Sequence, residues 1–245
     1  MDSVTADVFL GGAVTVFQPK TGFRAGTDSI LLAAALGEDW TGQALEIGCG
    51  AGGALLPAAW RCPSLIFTGV ECEAPYADLA RRGVDHNDCT DRIKIETADG
   101  ISYAKEHEGR FDVVFSNPPF FDPSGISAPG QGKAAAYLAS VPLGDWIAAM
   151  LTACRLKGRI VLIHRAAELT PILAALDRRA GEIEIMPVRS YPGADAKRVI
   201  VRARKGLRPG PTRLLSGIDL YEKKGGARTE AGMAVSARGE GLNWS

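Results

Sequence analysis

Short apolar runs broken by glycine- and proline-rich punctuation recur along this chain about every 20–30 residues, several with the β-branched content of buried strands. Residues 8–19 (VFLGGAVTVFQP) predict two strand pieces around Gly11-Gly12, a hairpin. A turn-rich connector follows, and Thr27 or Asp28 is placed to cap a helix running to Leu36. The pattern then alternates: strand 44–47, helix 53–60, strand 66–71, helix 73–86, strands 92–98 and 111–116, helix 143–155, strand 159–164 and helix 169–179. Residues 183–188 and 198–204 alternate at period two and predict a late strand pair. Residues 213–222 could join the N-terminal hairpin or dress a sheet edge, and the glycine-rich stretch after Gly225 is expected to be loosely ordered.

Strand–helix alternation of this kind predicts an α/β fold: a Rossmann-like, seven-stranded, mostly parallel sheet with helices on both faces, plus a short N-terminal β-hairpin. The chain divides into residues 1–40 (hairpin and a lid helix), 41–210 (the sheet domain) and 211–245 (a C-terminal extension, partly irregular). In such sheets ligands bind beyond the carboxyl ends of the strands, so strand ends are where chemistry is sought.

Composition narrows the class. Of 245 residues, 46% are hydrophobic and 23% charged, which excludes general disorder. The longest apolar run, residues 30–36, is far short of the ~18 residues of a membrane span. MDSVTADVF has no basic leader region, and five cysteines without a CxxC pair fit reduced thiols and no metal site; the expectation is a cytoplasmic protein. Net charge is zero, but residues 155–213 hold 14 Lys/Arg against 5 Asp/Glu, a local +9. Such a segment could collect phosphates; a mixed surface, with the balancing acids nearby in space, is the simpler reading.

Three strand ends carry acids. In ALEIGCGAGG, Gly48, Gly50 and Gly53 let a backbone approach a ligand closely, and Glu71 at the next strand's end is placed to accept two ribose hydroxyls. Glycines alone do not separate NAD, FAD and S-adenosylmethionine. Glu46 does: a carboxylate ahead of the glycines repels a pyrophosphate but suits an ammonium and a sulfonium. Asp99, in TADG, sits where an acid could accept an adenine amine. The fourth site is FDVVFSNPPFF. Asn117, Pro118 and Pro119 form a rigid acceptor set aimed at an NH2 group, with Phe120 alongside for stacking. His164 reads as a structural histidine, His86 and His107 as surface residues, and no nucleophile-elbow pattern is present.

EIGCGAGG, GVE, TADG and NPPF, in that order, resemble the class I S-adenosylmethionine-dependent methyltransferases that modify exocyclic or amide nitrogens. With QPKTGFRAGTDSILLAAAL, NPPFFDP and AKRVIVRARKG, residues 8–210 resemble the bacterial valine-tRNA (adenine-N6)-methyltransferase family. That resemblance implies S-adenosyl-L-methionine held by Arg24, Thr27, Asp28, Glu46, Gly48, Cys49, Gly50, Glu71, Cys72, Asp99, Gly100 and Asn117. It implies a target amine held by Asn117, Pro118, Pro119 and Phe120, the last standing where the family commonly has Tyr. An RNA substrate, tRNA above all, is then expected, with Phe120, Phe121, Lys197 and Arg198 as its contacts. The alternatives are a glutamine amide in a release factor, guanine N2 in rRNA, and a non-catalytic RNA- or nucleotide-binding module. Only 43 residues precede Ala44, and no second copy of the module is present; both weigh against the first two.

Overall fold

The structure, a computed structural model, describes residues 4–119 and 141–245. β1 (Val4–Phe9) and β2 (Val14–Pro19) form the antiparallel hairpin, joined by a tight turn over Leu10–Gly12. The central sheet is built from β3 (Gly42–Ile47), β4 (Leu65–Glu71), β5 (Ile93–Thr97), β6 (Phe111–Ser116), β7 (Cys154–Arg165), β8 (Ala180–Arg189) and β9 (Ala196–Lys205). Two short strands, β10 (Arg213–Leu214) and β11 (Ile218–Asp219), pair with β8 and bring the sheet to nine. The seven expected strands are thus all present, and residues 213–222 dress the sheet edge rather than the hairpin.

Strand order is β10-β8-β9-β7-β6-β3-β4-β5. β3 through β7 run parallel, and β9 alone is antiparallel to its neighbours. The chain leaves β3 outward through β4 and β5, then returns to add β6 on β3's other side. That reversal opens a crevice at the carboxyl ends of β3 and β6.

Period-two alternation explains the layers. Val113, Phe115, Val161 and Ile163 face one core with α1 (Thr27–Ala34), α2 (Leu55–Arg61) and α3 (Ala74–His86). Val114, Ile160 and Leu162 face the other with α5 (Leu143–Ala153) and α6 (Leu169–Leu176). Phe115 meets Phe67 edge to face at 6.1 Å, fully buried. A helix between β5 and β6, α4 (Gly100–Glu106), has no counterpart among the predicted elements. The α1 cap also differs: Gly26 is the N-cap, without a side-chain bond, and Asp28 reaches elsewhere.

The C-terminal extension corrects a larger expectation. Residues after Gly225 are packed, with α7 (Glu230–Ala237) capped by the Thr229 hydroxyl and Val235 buried. Leu242 N–H donates to the Ala34 carbonyl. Arg61, buried on α2, donates to the carbonyls of Gly239, Ala33 and Leu36 and pairs with Glu38. The Arg202 guanidinium bonds the Ala35 carbonyl and lies 3.8 Å from the Trp244 ring centre and 5.0 Å from that of Trp40. Burial lowers its pKa to about 9. The extension therefore closes over α1 and α2 through arginine bonds that composition cannot reveal.

Replacing Trp244 by Ala removes one side of this stack. We expect a stability loss of about 1–2 kcal/mol, a melting temperature lower by roughly 2–8 °C, and new protease cleavage beyond Gly225 that the parent chain resists.

Candidate active site

β3 ends at Ile47, and the chain turns through Gly48, Gly50 and Gly52 at φ of +73°, +55° and +84°, where a side chain is strained. Gly48 and Cys49 N–H both donate to the Val70 carbonyl, and Gly50 N–H donates to Glu71 Oε2 at 2.9 Å. Gly53 needs no special φ; a Cβ there would lie 2.0 Å from that of Ala25, so its lack of a side chain lets residues 23–26 close on the turn.

Glu46 is 2% exposed, and its Oε2 has no hydrogen-bond partner. Burial raises its pKa well above the ordinary value, the Glu71 charge adds to that, and the Leu55 N–H opposes both. A buried, unsatisfied carboxylate oxygen is costly, and it marks a place for a cation or donor from outside the chain. Glu71 accepts from Glu73 N–H with Oε1 and from the glycine turn with Oε2. Asp99 caps α4 by accepting from Ser102 N–H at 2.8 Å, while its Oδ2 is buried without a partner. At Gly100 a Cβ would meet Ile47 at 2.5 Å, so the start of α4 is closely seated on the tip of β3. The Cys49 and Cys72 thiols are both pushed up by burial, Cys72 to about 12.

β6 leads into Asn117, Pro118 and Pro119. Ser116 Oγ donates to the Ile47 carbonyl at 2.7 Å and accepts from Trp146 Nε1 at 2.9 Å. The Trp146 ring lies under Gly48, within 3.3 Å of where a Cβ would stand. One buried chain of bonds thereby fixes the glycine turn against the Asn117 loop. Between them lies a cleft lined among others by Gln18, Phe23, Glu46, Gly48 and Asn117. Glu71, Cys72, Asp99 and Gly100 lie at adjoining strand ends and are not part of that lining. Phe120 and Phe121 lie outside the described residues. His164, buried beside the loop, has its pKa lowered to about 4 by burial, with a hydrogen bond to the Pro119 backbone acting the other way; it is a neutral structural histidine at pH 7.

Sequence reasoning missed Gln18 and Phe23. Gln18 is buried, accepts from Ala25 N–H and donates to Asp7; Phe23 is exposed at the cleft mouth, its N–H bonded to the Tyr76 hydroxyl. Their signal lay in QPKTGF, ahead of the helix. Among the lid candidates, Arg24 turns to Asp7, Thr5 and the Pro19 carbonyl on the hairpin. Thr27 begins α1 and does not line the cleft. Asp28 pairs with Arg198 at 2.7 Å, binding α1 to β9. Arg198 is thus engaged by a carboxylate, whereas Lys197 is exposed. Seven of the fourteen basic residues from Arg155 to Arg213 form ion pairs, three of them with acids outside the segment: Asp112, Asp219 and Asp28. At those three positions the balancing acid is distant in sequence and close in space. Among the described residues no acidic, histidine or cysteine cluster has a metal-binding arrangement, and no helix is long and apolar enough to cross a membrane.

Residues 16–129 match the family described as the methyltransferase small domain. A tRNA1(Val) (adenine(37)-N6)-methyltransferase of Porphyromonas gingivalis is 31% identical, across 79% of each chain. Its namesake from Escherichia coli O157:H7 is 33% identical over 51% of this chain and 52% of its own. Among solved structures, a protein of Agrobacterium tumefaciens described as a predicted O-methyltransferase superimposes with a TM-score of 0.70 at 26% identity, covering 89% of this chain and 98% of that one.

The raised Glu46 pKa has a consequence for the ligand-free protein. The fold disfavours the charged carboxylate, so the native state loses stability relative to the unfolded chain as pH rises above the ordinary glutamate value near 4.5. Glu46→Gln should melt higher than the parent at pH 7–8, with the gap closing toward pH 4, as read by thermal unfolding across pH.

Proposed function

The chain belongs to the tRNA1(Val) (adenine(37)-N6)-methyltransferase family, and from that premise we propose that it methylates the exocyclic N6 of an adenine in tRNA, with S-adenosyl-L-methionine as donor. The observation that carries this reading is the pairing of two loops across one cleft. A buried carboxylate oxygen without a partner sits at the glycine turn, and an Asn-Pro-Pro acceptor set leaves the neighbouring strand.

The residues present fit the cofactor. Glu46 would accept from its ammonium, and the glycines leave room for its backbone-like portion. Glu71 uses its two oxygens on backbone N–H groups, yet a carboxylate has about four acceptor positions, so hydroxyls of a ribose can share it. The buried, unpartnered Oδ2 of Asp99 suits an adenine amine. Bound there, the cofactor supplies an electrophilic methyl group whose transfer leaves a neutral thioether.

The chain's own residues then act on the target nitrogen. An adenine N6 is a poor nucleophile because its lone pair is delocalised into the ring. Asn117 Oδ1 and the Pro118 carbonyl accept its two N–H bonds, which favours a pyramidal nitrogen with the lone pair free to form the new N–C bond. The surplus proton leaves to water once that bond has formed, so no strong base is needed. Proline at 118 and 119 removes two backbone donors and fixes the loop, and Phe120 supplies the stacking surface. Trp146 and Ser116 hold the loop in register with the glycine turn.

Incubation of the protein with labelled cofactor, total RNA and total protein, followed by nucleoside mass spectrometry, should place the label in N6-methyladenosine of tRNA. Label in guanosine or in a protein glutamine would overturn the assignment. Asn117→Ala should lower single-turnover methylation by about 100-fold or more while cofactor affinity, measured by calorimetry, stays within a few fold. A near-parental rate would remove Asn117 from its acceptor role.

A further inference from the structure

The C-terminal extension ends its pairing with the sheet at the same edge where the chemistry sits. β8 is antiparallel to β9, which is antiparallel to β7, so β8 points its carboxyl end the same way as β6. β11 lies parallel to β8, with Ile218 opposite Val188 and Asp219 opposite Arg189. The chain therefore leaves Asp219 beyond the carboxyl edge of the sheet. Leu220 and Tyr221 still bond Arg189 and Ser190, and the segment then folds back on itself.

That fold-back is a built hairpin. Tyr221 bridges Arg228, Glu222 N–H donates to the Ala227 carbonyl, and Gly226 N–H donates to the Lys223 carbonyl. The last bond closes a four-residue turn, K-K-G-G, with Gly225 at φ +72°, which a side chain disfavours. Lys224 thereby occupies the tip. The base is clamped by the Arg189–Asp219 ion pair and by Thr229, which donates to the Asp219 carbonyl.

Lys223 and Lys224 are exposed, and Arg228 lies over the Tyr221 ring at 5.3 Å. Two strands away, Lys197 is exposed at the start of β9. Against Glu222 and Asp195 this rim carries an excess of two positive charges. From β11 to β6 there are four strand steps of about 5 Å, so the hairpin stands roughly 20 Å from Asn117 on the same face of the molecule. A basic, pre-ordered turn beside an aromatic ring, a few nucleotides' reach from the target base, is suited to a nucleic-acid backbone.

We propose that the hairpin of residues 221–228 is a phosphate-contacting arm through which the C-terminal extension grips the RNA substrate flanking the target adenine. The proposal rests on the tRNA reading above and adds to it the surface that holds the RNA. Lys223 and Lys224 contact phosphates, Arg228 and Tyr221 brace the strand, and Lys197 continues the track toward the cleft.

The test measures tRNA binding by the full-length protein across salt concentrations. The Lys223→Ala/Lys224→Ala double variant should bind tRNA about tenfold more weakly at 0.1 M salt, with a salt slope shallower by about 1.5, while cofactor affinity and melting temperature stay at parental values. Lys105→Ala, on a helix leading to the opposite edge of the sheet, serves as the charge control and should leave the slope unchanged. An unchanged slope in the double variant, or an equal loss in the control, overturns the arm. If the parent protein itself binds no tRNA, the substrate reading falls and the arm with it; if the parent binds and the double variant matches it, only the arm falls.

Discussion

Glu46 is the constraint around which the molecule is arranged. A carboxylate at the end of a central parallel strand is buried, faces a second carboxylate and leaves one oxygen unanswered. A fold tolerates such a group only where the surroundings are stable enough to hold it. The surroundings here are two apolar layers, a glycine turn anchored to Val70, and the Trp146–Ser116–Ile47 chain of bonds that locks the adjoining strand tip. The destabilised acid and the rigid acceptor loop are parts of one device. In the proposed reaction the first would hold a positively charged ligand in register, and the second would position a neutral nitrogen against it.

This division of labour explains why the chemistry needs so few titrating groups. His164 is kept neutral by burial, and the thiols near the cleft are held protonated. What remains is geometry: acceptors that neither gain nor lose a proton. In the proposed reaction, rate would depend on how well the two loops hold their spacing, and the fully buried Trp146 would contribute through its bond to Ser116 rather than through contact with a reacting atom.

Much of this was legible in the chain. The alternation of apolar runs gives every principal strand, and the glycine spacing with Glu46, Glu71 and Asp99 at successive strand ends locates the crevice. What was hidden shares a cause: side chains whose role depends on partners distant in sequence. Nothing in the sequence around Arg61 and Arg202 marks them as inward, yet both are folded against backbone carbonyls at the carboxyl end of α1. Val235, Leu242 and Trp244 are scattered among glycines and charges with no period, so nothing local announces that they pack. Gln18 and Phe23 come to the cleft only because the hairpin folds over the glycine turn. Arg24, expected at the cofactor from its place in a motif, pairs with Asp7 on β1, and Asp28 and Arg198 pair with each other across α1 and β9.

The way the sheet ends has a further consequence. One flank is the five-residue β5, its Lys94 and Glu96 paired with each other; the other is β8, covered at its middle and its carboxyl end by two-residue strands and interrupted by Pro187. Among the described residues, neither margin of this sheet offers a long run of unpaired N–H and C=O groups to another molecule. Among the described residues, the central sheet therefore offers other copies of this protein only a short template for strand-to-strand joining at either margin.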